Sequence, residues 1–195
     1  MARQKDFDET VVLDLAVQLF WDKGYNGTSM QEIVDYLGIS RSSLYDTFGD
    51  KRQLFLKALH RYQHEQGGYW MAKAKKSDAT LPFLREMFET AIQEISKDPL
   101  SKGCFMVNAA VELAPHDTEV AQIVTQNKCQ MENAFAALIL KGQLTGEISN
   151  KKDALSFARF LFHVFSSIRL AAKSDVASEE LQEIVEVAFS VLLPD

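Results

Sequence analysis

Two cysteines in 195 residues cannot build a disulfide framework, so packing must hold this fold together and a reducing compartment suits it. Four prolines and nine glycines leave few turn clusters and long periodic stretches, which points away from many-stranded folds and toward an all-α protein. No apolar run approaches the roughly 20 residues that span a bilayer. The opening MARQKDFDET lacks the apolar centre of a signal peptide, so a cytoplasmic protein with no membrane partner is expected. Basic charge is not in excess either, the formal net charge being −6. The first 66 residues hold eight basic residues (Arg3, Lys5, Lys23, Arg41, Lys51, Arg52, Lys57, Arg61) against ten acidic ones. Phosphate contacts dominate affinity for nucleic acid, so any DNA-binding surface here has to localise its few cations. Arg41, Lys51 and Arg52, close together in sequence, are the candidates. Also missing is a catalytic constellation: no nucleophile–base–orienter set, Gly-rich phosphate loop or carboxylate pair stands at a convincing spacing. An enzyme is not expected, nor a cofactor, and no pair among His60, His64, His116 and His163 makes a metal site.

What is present is helical periodicity. Val12, Leu15, Ala16, Leu19 and Phe20 form an apolar stripe in a helix from about Asp8 to Lys23, capped by Asp8 or Asp6 and ended by Gly24. Thr28 or Ser29 caps a second helix, each with Gln31 or Glu32 at the capping-box position. Ile33, Val34 and Leu37 form its inner face before Gly38 breaks it. Ser40 opens a third short helix, and Asp50 caps a fourth whose stripe (Leu54, Phe55, Ala58, Leu59, Tyr62) is expected to stop near Gly67 and Gly68. Two short helices joined by a tight Gly-containing turn satisfy the needs of a helix-turn-helix. In the third helix Leu44 and Phe48 face inward. Arg41, Ser42, Ser43 and Thr47 point outward, as a helix entering a major groove requires.

The division expected is a helix-turn-helix domain over residues 1–66 and a larger helical ligand-binding and dimerisation domain over 67–195. The second part reads as helices over Thr80–Lys97, Gly103–Leu113, Asp117–Lys141, Asp153–Lys173 and Ser178–Leu193. The segment from Ala154 to Ala172 is apolar on nearly every face and the last helix has Val187 and Phe189 outside its main stripe, which predicts a homodimer interface. Aromatic and methionine side chains, notably Phe83, Met87, Phe105, Met106, Phe135 and Phe162, are candidates to line an apolar effector pocket. Cys104 follows Gly103 near Lys102 at a helix start, where a thiolate is favoured, and is a candidate sensor. Its alternative is a buried, inert thiol, and Cys129 reads as a core residue.

The runs VLDLAVQLFWDKGYNGTSM, YLGIS and SLYDTFGDKRQLF resemble the TetR family of bacterial transcriptional regulators. The matching positions are Gly24, Tyr25, Thr28, Ser29, Gly38, Ser43, Leu44, Tyr45, Phe48 and Lys51. The resemblance implies homodimers that bind double-stranded operator DNA and release it when a small-molecule effector enters the C-terminal domain. It places Arg41, Ser42 and Ser43 at the base-facing start of the recognition helix and Tyr45 and Lys51 at phosphates, with Thr28 capping beside the backbone. Thr47 stands where His is commoner. The stretch GCFMVNAAVELAPHD resembles a branch of the family in which some repressors sense electrophiles or oxidants through a cysteine after a glycine. The rival reading is a helical ligand-binding or redox-sensing protein whose N-terminal bundle is only structural.

Overall fold

The structure, a computed structural model, describes residues 7–194 other than Asp78, Pro99, Ser101 and Asp175. Among the described residues the regular elements are all helices: α1 (Glu9–Lys23), α2 (Met30–Leu37), α3 (Arg41–Phe48), α4 (Lys51–Ala74), α5 (Thr80–Lys97), α6 (Phe105–Glu112), α7 (Thr118–Thr145), α8 (Ala154–Ala171) and α9 (Ser178–Ser190). Local chemistry explains most of the boundaries. Asp8 accepts the amides of Thr10 and Val11, satisfying donors that a helix start leaves unpaired; Asp6, the alternative cap, lies outside the described residues. Ser29 and Glu32 form a reciprocal capping box on α2, so Ser29 and not Thr28 is its cap. Ser40, Asp50, Asp117 and Asp153 cap α3, α4, α7 and α8 by accepting first-turn amides with their side chains. Gly38 ends α2 at φ 66°, a left-handed conformation that costs glycine nothing.

Two boundaries depart from the sequence reading. Helix α4 does not stop at Gly67 and Gly68 but runs on to Ala74. Each helical glycine costs about 1 kcal/mol relative to alanine, and burial of Trp70 beyond them, worth a comparable or larger amount, carries the helix through. Helix α7 likewise continues past Lys141 to Thr145, ending at Gly146 in the left-handed region.

The core falls into two clusters, and α4 passes from one to the other. The first holds the inner faces of α1–α3 with Leu54, Phe55, Leu59 and Tyr62 of α4. It also takes in Phe105, Met106 and Ala109 of α6 and Val120 and Ile123 of α7. The N-terminal bundle is therefore closed by residues distant in sequence. The second cluster begins with Trp70 and gathers α5, the second half of α7, α8 and α9.

Helix α8 is long and apolar enough, by length and composition, to cross a membrane, which corrects the expectation that no run approaches that length. In this fold it packs on α7 and α5, and Arg169 near its end is buried and donates to Glu94 at 2.5 Å. Cys129 corrects another expectation: it lies exposed on α7 rather than in the core, because it falls outside the stripe of Val120, Ile123, Phe135 and Ile139 that α7 buries.

Candidate nucleic-acid interface

The helix-turn-helix is assembled from the inside. Ile33, Val34 and Leu37 of α2 and Leu44 and Phe48 of α3 are buried, which fixes the angle between the two helices and turns the rest of α3 outward. Arg41, Ser42, Tyr45 and Asp46 are exposed on that outer face, with Ser43 and Thr47 half-buried at its edges. At the start of α3 the Ser40 hydroxyl lies 3.0 Å from that of Ser42 and 2.8 Å from that of Ser43, and it accepts the Ser43 amide at 3.1 Å. Three hydroxyls and an arginine at a helix start form a hydrogen-bonding surface of the kind that reads base edges and phosphates.

Two residues expected near DNA, Thr28 and Arg52, are placed differently from their sequence reading. Thr28 is 1 % exposed and donates its hydroxyl hydrogen to the Gly24 carbonyl at 2.7 Å. Its side chain braces the α1–α2 turn and does not reach the surface. Tyr45 is 47 % exposed, as a phosphate contact requires, and Tyr36 on α2, which sequence reasoning passed over, is 49 % exposed. Arg52, counted among the local cations, is committed elsewhere: its Nε and Nη2 donate to Asp117 at 2.6 and 2.9 Å, and Nη2 also to Glu119 at 3.0 Å.

The remaining cations of this region sort the same way. Lys23 pairs with Glu32 at 2.9 Å. The Glu32 carboxyl is held down to about 2 by the Ser29 amide first and by Lys23 next. Arg61 pairs with Asp14 and Glu65, and Lys57 donates to the carbonyls of Thr47 and Phe48 at 3.3 and 3.2 Å, closing the end of α3. Lys51 sits with its ammonium 4.2 Å above the centre of the Tyr25 ring, and partial burial lowers its pKa. Arg41 and Lys51 are thus the described cations of the bundle held neither by a carboxylate nor by a carbonyl. Positive charge is localised on two residues, one at each side of α3.

The six apolar residues singled out in the C-terminal part do not converge. Phe83, Met87 and Phe135 are buried together in the second cluster, with Phe162 partly buried against it. Phe105 and Met106 belong to the first cluster, under the N-terminal bundle. Cys104 is half-buried at the cap position of α6, and the Tyr62 hydroxyl donates toward its sulfur at 3.6 Å. Burial pushes the Tyr62 phenol well above its ordinary pKa, so it stays a donor. A cavity of about 140 Å³ opens next to this point, lined by Trp21, Glu94, Ile95, Asp98, Lys102, Gly103 and Arg169.

Comparison with known proteins meets this geometry at both ends of the chain. The family model described as bacterial regulatory proteins, tetR family, matches residues 12–58, and that described as tetracyclin repressor-like, C-terminal domain, matches residues 80–187. The chain belongs to the TetR family. It is a DNA-binding transcriptional regulator, in a family of regulators and not of enzymes. An uncharacterized HTH-type transcriptional regulator of Bacillus subtilis, YezE, is 34% identical over 193 residues, covering 98% of this chain and 100% of the relative. The HTH-type transcriptional repressor ComR of Escherichia coli is 28% identical over 188 residues, covering 93% and 87%. Among solved structures, a cysteine mutant of the TetR family transcriptional regulator CifR, in complex with 26-bp double-strand operator DNA, superposes with a TM-score of 0.84. It is 25% identical, covering 98% of this chain and 100% of that one.

In this TetR-family chain, sequence reasoning missed the acids that tie the two parts together. Glu112 accepts the amides of Tyr25 and Asn26 at 3.0 and 2.7 Å, and Asp117 takes Arg52. Both stand in the run ELAPHD, which was legible as a family feature but not as a pair of contacts. No local signal could have shown it, because the partners lie 87, 86 and 65 residues away.

Proposed function

We propose that the chain is a homodimeric repressor, working in the cytoplasm, that reads operator DNA through the exposed face of α3. The observation that carries this reading is the outer face of α3, polar and open, with Arg41 free of any carboxylate partner at its start. On this reading Arg41, Ser42, Ser43 and Thr47 meet base edges or adjacent phosphates, and Tyr45 and Lys51 hold the backbone. Residues 1–66 form the DNA-binding unit and 67–195 the effector and dimerisation unit. Relatives described as repressors and the CifR complex with operator DNA support the same role.

Two symmetric half-sites about one helical turn apart, roughly 34 Å, need two copies of α3 at a set separation. The support for a dimer is apolar surface: Leu155, Phe160 and Leu170 on α8 and Ile184, Val187 and Val191 at the end of the chain are exposed, and such a patch normally finds a partner. Release would follow from a signal that binds better to a non-matching separation. On this reading the signal is either an apolar effector taken up among Phe83, Met87, Phe135 and Phe162 or a thiol-reactive one at Cys104.

Fluorescence anisotropy with the gene's own upstream DNA, run at several salt concentrations, tests the central claim. Saturable, sequence-dependent binding is expected, and absence of binding to any such fragment at low salt would remove the function. Retained release by oxidant in a Cys104→Ser variant would remove Cys104 as the sensor and leave the exposed Cys129 as the thiol to test.

A further inference from the structure

The α1–α2 turn is held from outside its own domain. Both carboxylate oxygens of Glu112, the last residue of α6, are used: Oε2 accepts the Tyr25 amide at 3.0 Å and Oε1 the Asn26 amide at 2.7 Å. A β-carbon placed on Gly24, whose φ is 75°, would lie 2.9 Å from Glu112 Oε2, so the close approach depends on glycine as well. Consecutive backbone N–H groups gripped by one charged acceptor make a stiff link, since charge-assisted hydrogen bonds are roughly twice as strong as neutral ones.

The turn leads directly to the DNA face. Thr28 is tied back to Gly24, Ser29 then caps α2, and the Tyr25 ring carries the Lys51 ammonium 4.2 Å above it. Lys51 also feels the Glu112 charge. The carboxylate thus fixes the entry of α2 and, through Tyr25, the place of a candidate phosphate contact.

We infer that Glu112 is a positioning residue for operator binding: it sets the helix-turn-helix at the angle to the C-terminal unit that a two-half-site operator requires. It touches no DNA. This rests on the reading of the chain as a dimeric operator-binding protein. A dimer meets both half-sites at once only if each bundle is held rigidly at its angle, and that simultaneous engagement is what multiplies the affinity of one half-site. Non-specific binding, which draws on phosphate charge in any register, has no such geometric requirement.

The test uses the full chain and an operator selected by the unaltered protein from a random-sequence pool. Glu112→Gln keeps the size and one carbonyl acceptor, and Glu112→Ala removes both bonds. Affinities are measured at one salt concentration for the full dyad, for a single half-site and for unrelated DNA. The expected result is a loss on the order of ten-fold or more for the dyad with Glu112→Ala and a smaller loss with Glu112→Gln. Half-site and unrelated DNA should lose much less than the dyad, and the amides of Tyr25 and Asn26 should exchange hydrogen faster. Unchanged dyad affinity overturns the inference. So does an equal loss on all three DNAs, which would make Glu112 a general brace; if Glu112→Ala does not fold, the isosteric Glu112→Gln decides by the same comparison. An unaltered protein that selects no operator fails the functional reading itself, a result visible before any variant is made.

Discussion

Arg52 and Asp117 meet through two hydrogen bonds, Nε to Oδ2 at 2.6 Å and Nη2 to Oδ1 at 2.9 Å. The residue next to Lys51, on the helix that follows the recognition helix, therefore spends its charge on the C-terminal unit. Arg52→Ala should leave the salt slope of DNA binding unaltered while lowering stability, because it leaves Asp117 half-buried without its guanidinium. A lower midpoint in urea unfolding is expected. A salt slope reduced by about one on losing Arg52 would instead count it as a phosphate contact.

Arg41 and Lys51 should separate into different kinds of contact. Arg41→Ala is expected to cost about 1–3 kcal/mol of operator binding and to relax the sequence preference at one position. Lys51→Ala should weaken binding to all DNA alike and reduce the salt slope by about one. Anisotropy titrations against operator and unrelated DNA at three salt concentrations distinguish the two behaviours.

Gly67 and Gly68 sit inside a continuous helix, with open space where a β-carbon would be. Replacing either with alanine should raise stability by roughly 0.5–1 kcal/mol, since alanine loses less backbone freedom on folding. If unfolding curves show destabilisation instead, a contact in the assembled protein approaches α4 at this point.

Val187 on α9 is 69 % exposed and Phe160 on α8 is 41 % exposed. A charge placed at the centre of an apolar interface is left desolvated and unpaired. Phe160→Glu or Val187→Glu should shift the protein from dimer to monomer in sedimentation equilibrium and weaken operator binding in parallel. A variant that stays dimeric takes these helices out of the interface.

The link between the two units should respond to acid. Asp117 is held down to about 2 from 3.8, chiefly by its hydrogen bonds with Arg52. A carboxyl whose pKa is depressed by folding stabilises fully above its ordinary value, and that stabilisation is lost as pH falls from about 3.8 through about 2. Asp117→Asn should accordingly flatten the acid limb of a stability-against-pH curve between those values. An unchanged limb would show that Asp117 gains nothing from its partner.

The sequence by itself determined what depends on near neighbours. The caps at Asp8, Ser29, Ser40, Asp50 and Asp153 act on amides within three residues, so composition and spacing suffice to see them. The two faces of α3 follow from the same short period: Leu44 and Phe48 are four apart and buried, while Ser42 and Asp46 lie opposite, and Arg41 is exposed because it stands at the helix start. The starts of α2 and α3 were legible for that reason.

Only the tertiary structure decided which charges are free, which bundle each aromatic serves and what joins the two units. Arg52 looks as available as Lys51 in sequence, yet one is taken by Asp117 and the other rests on Tyr25. Phe105 and Met106 look like companions of Phe83 and Met87, yet they close the N-terminal core. Helix α4 overrides its own glycines because burial of Trp70 outweighs their local preference. A cap is set by a few dihedrals, whereas a pairing across 65 or 87 residues depends on the path of every helix between. That path is a property of the packed whole, and Glu112 at the α1–α2 turn is where it bears on DNA binding.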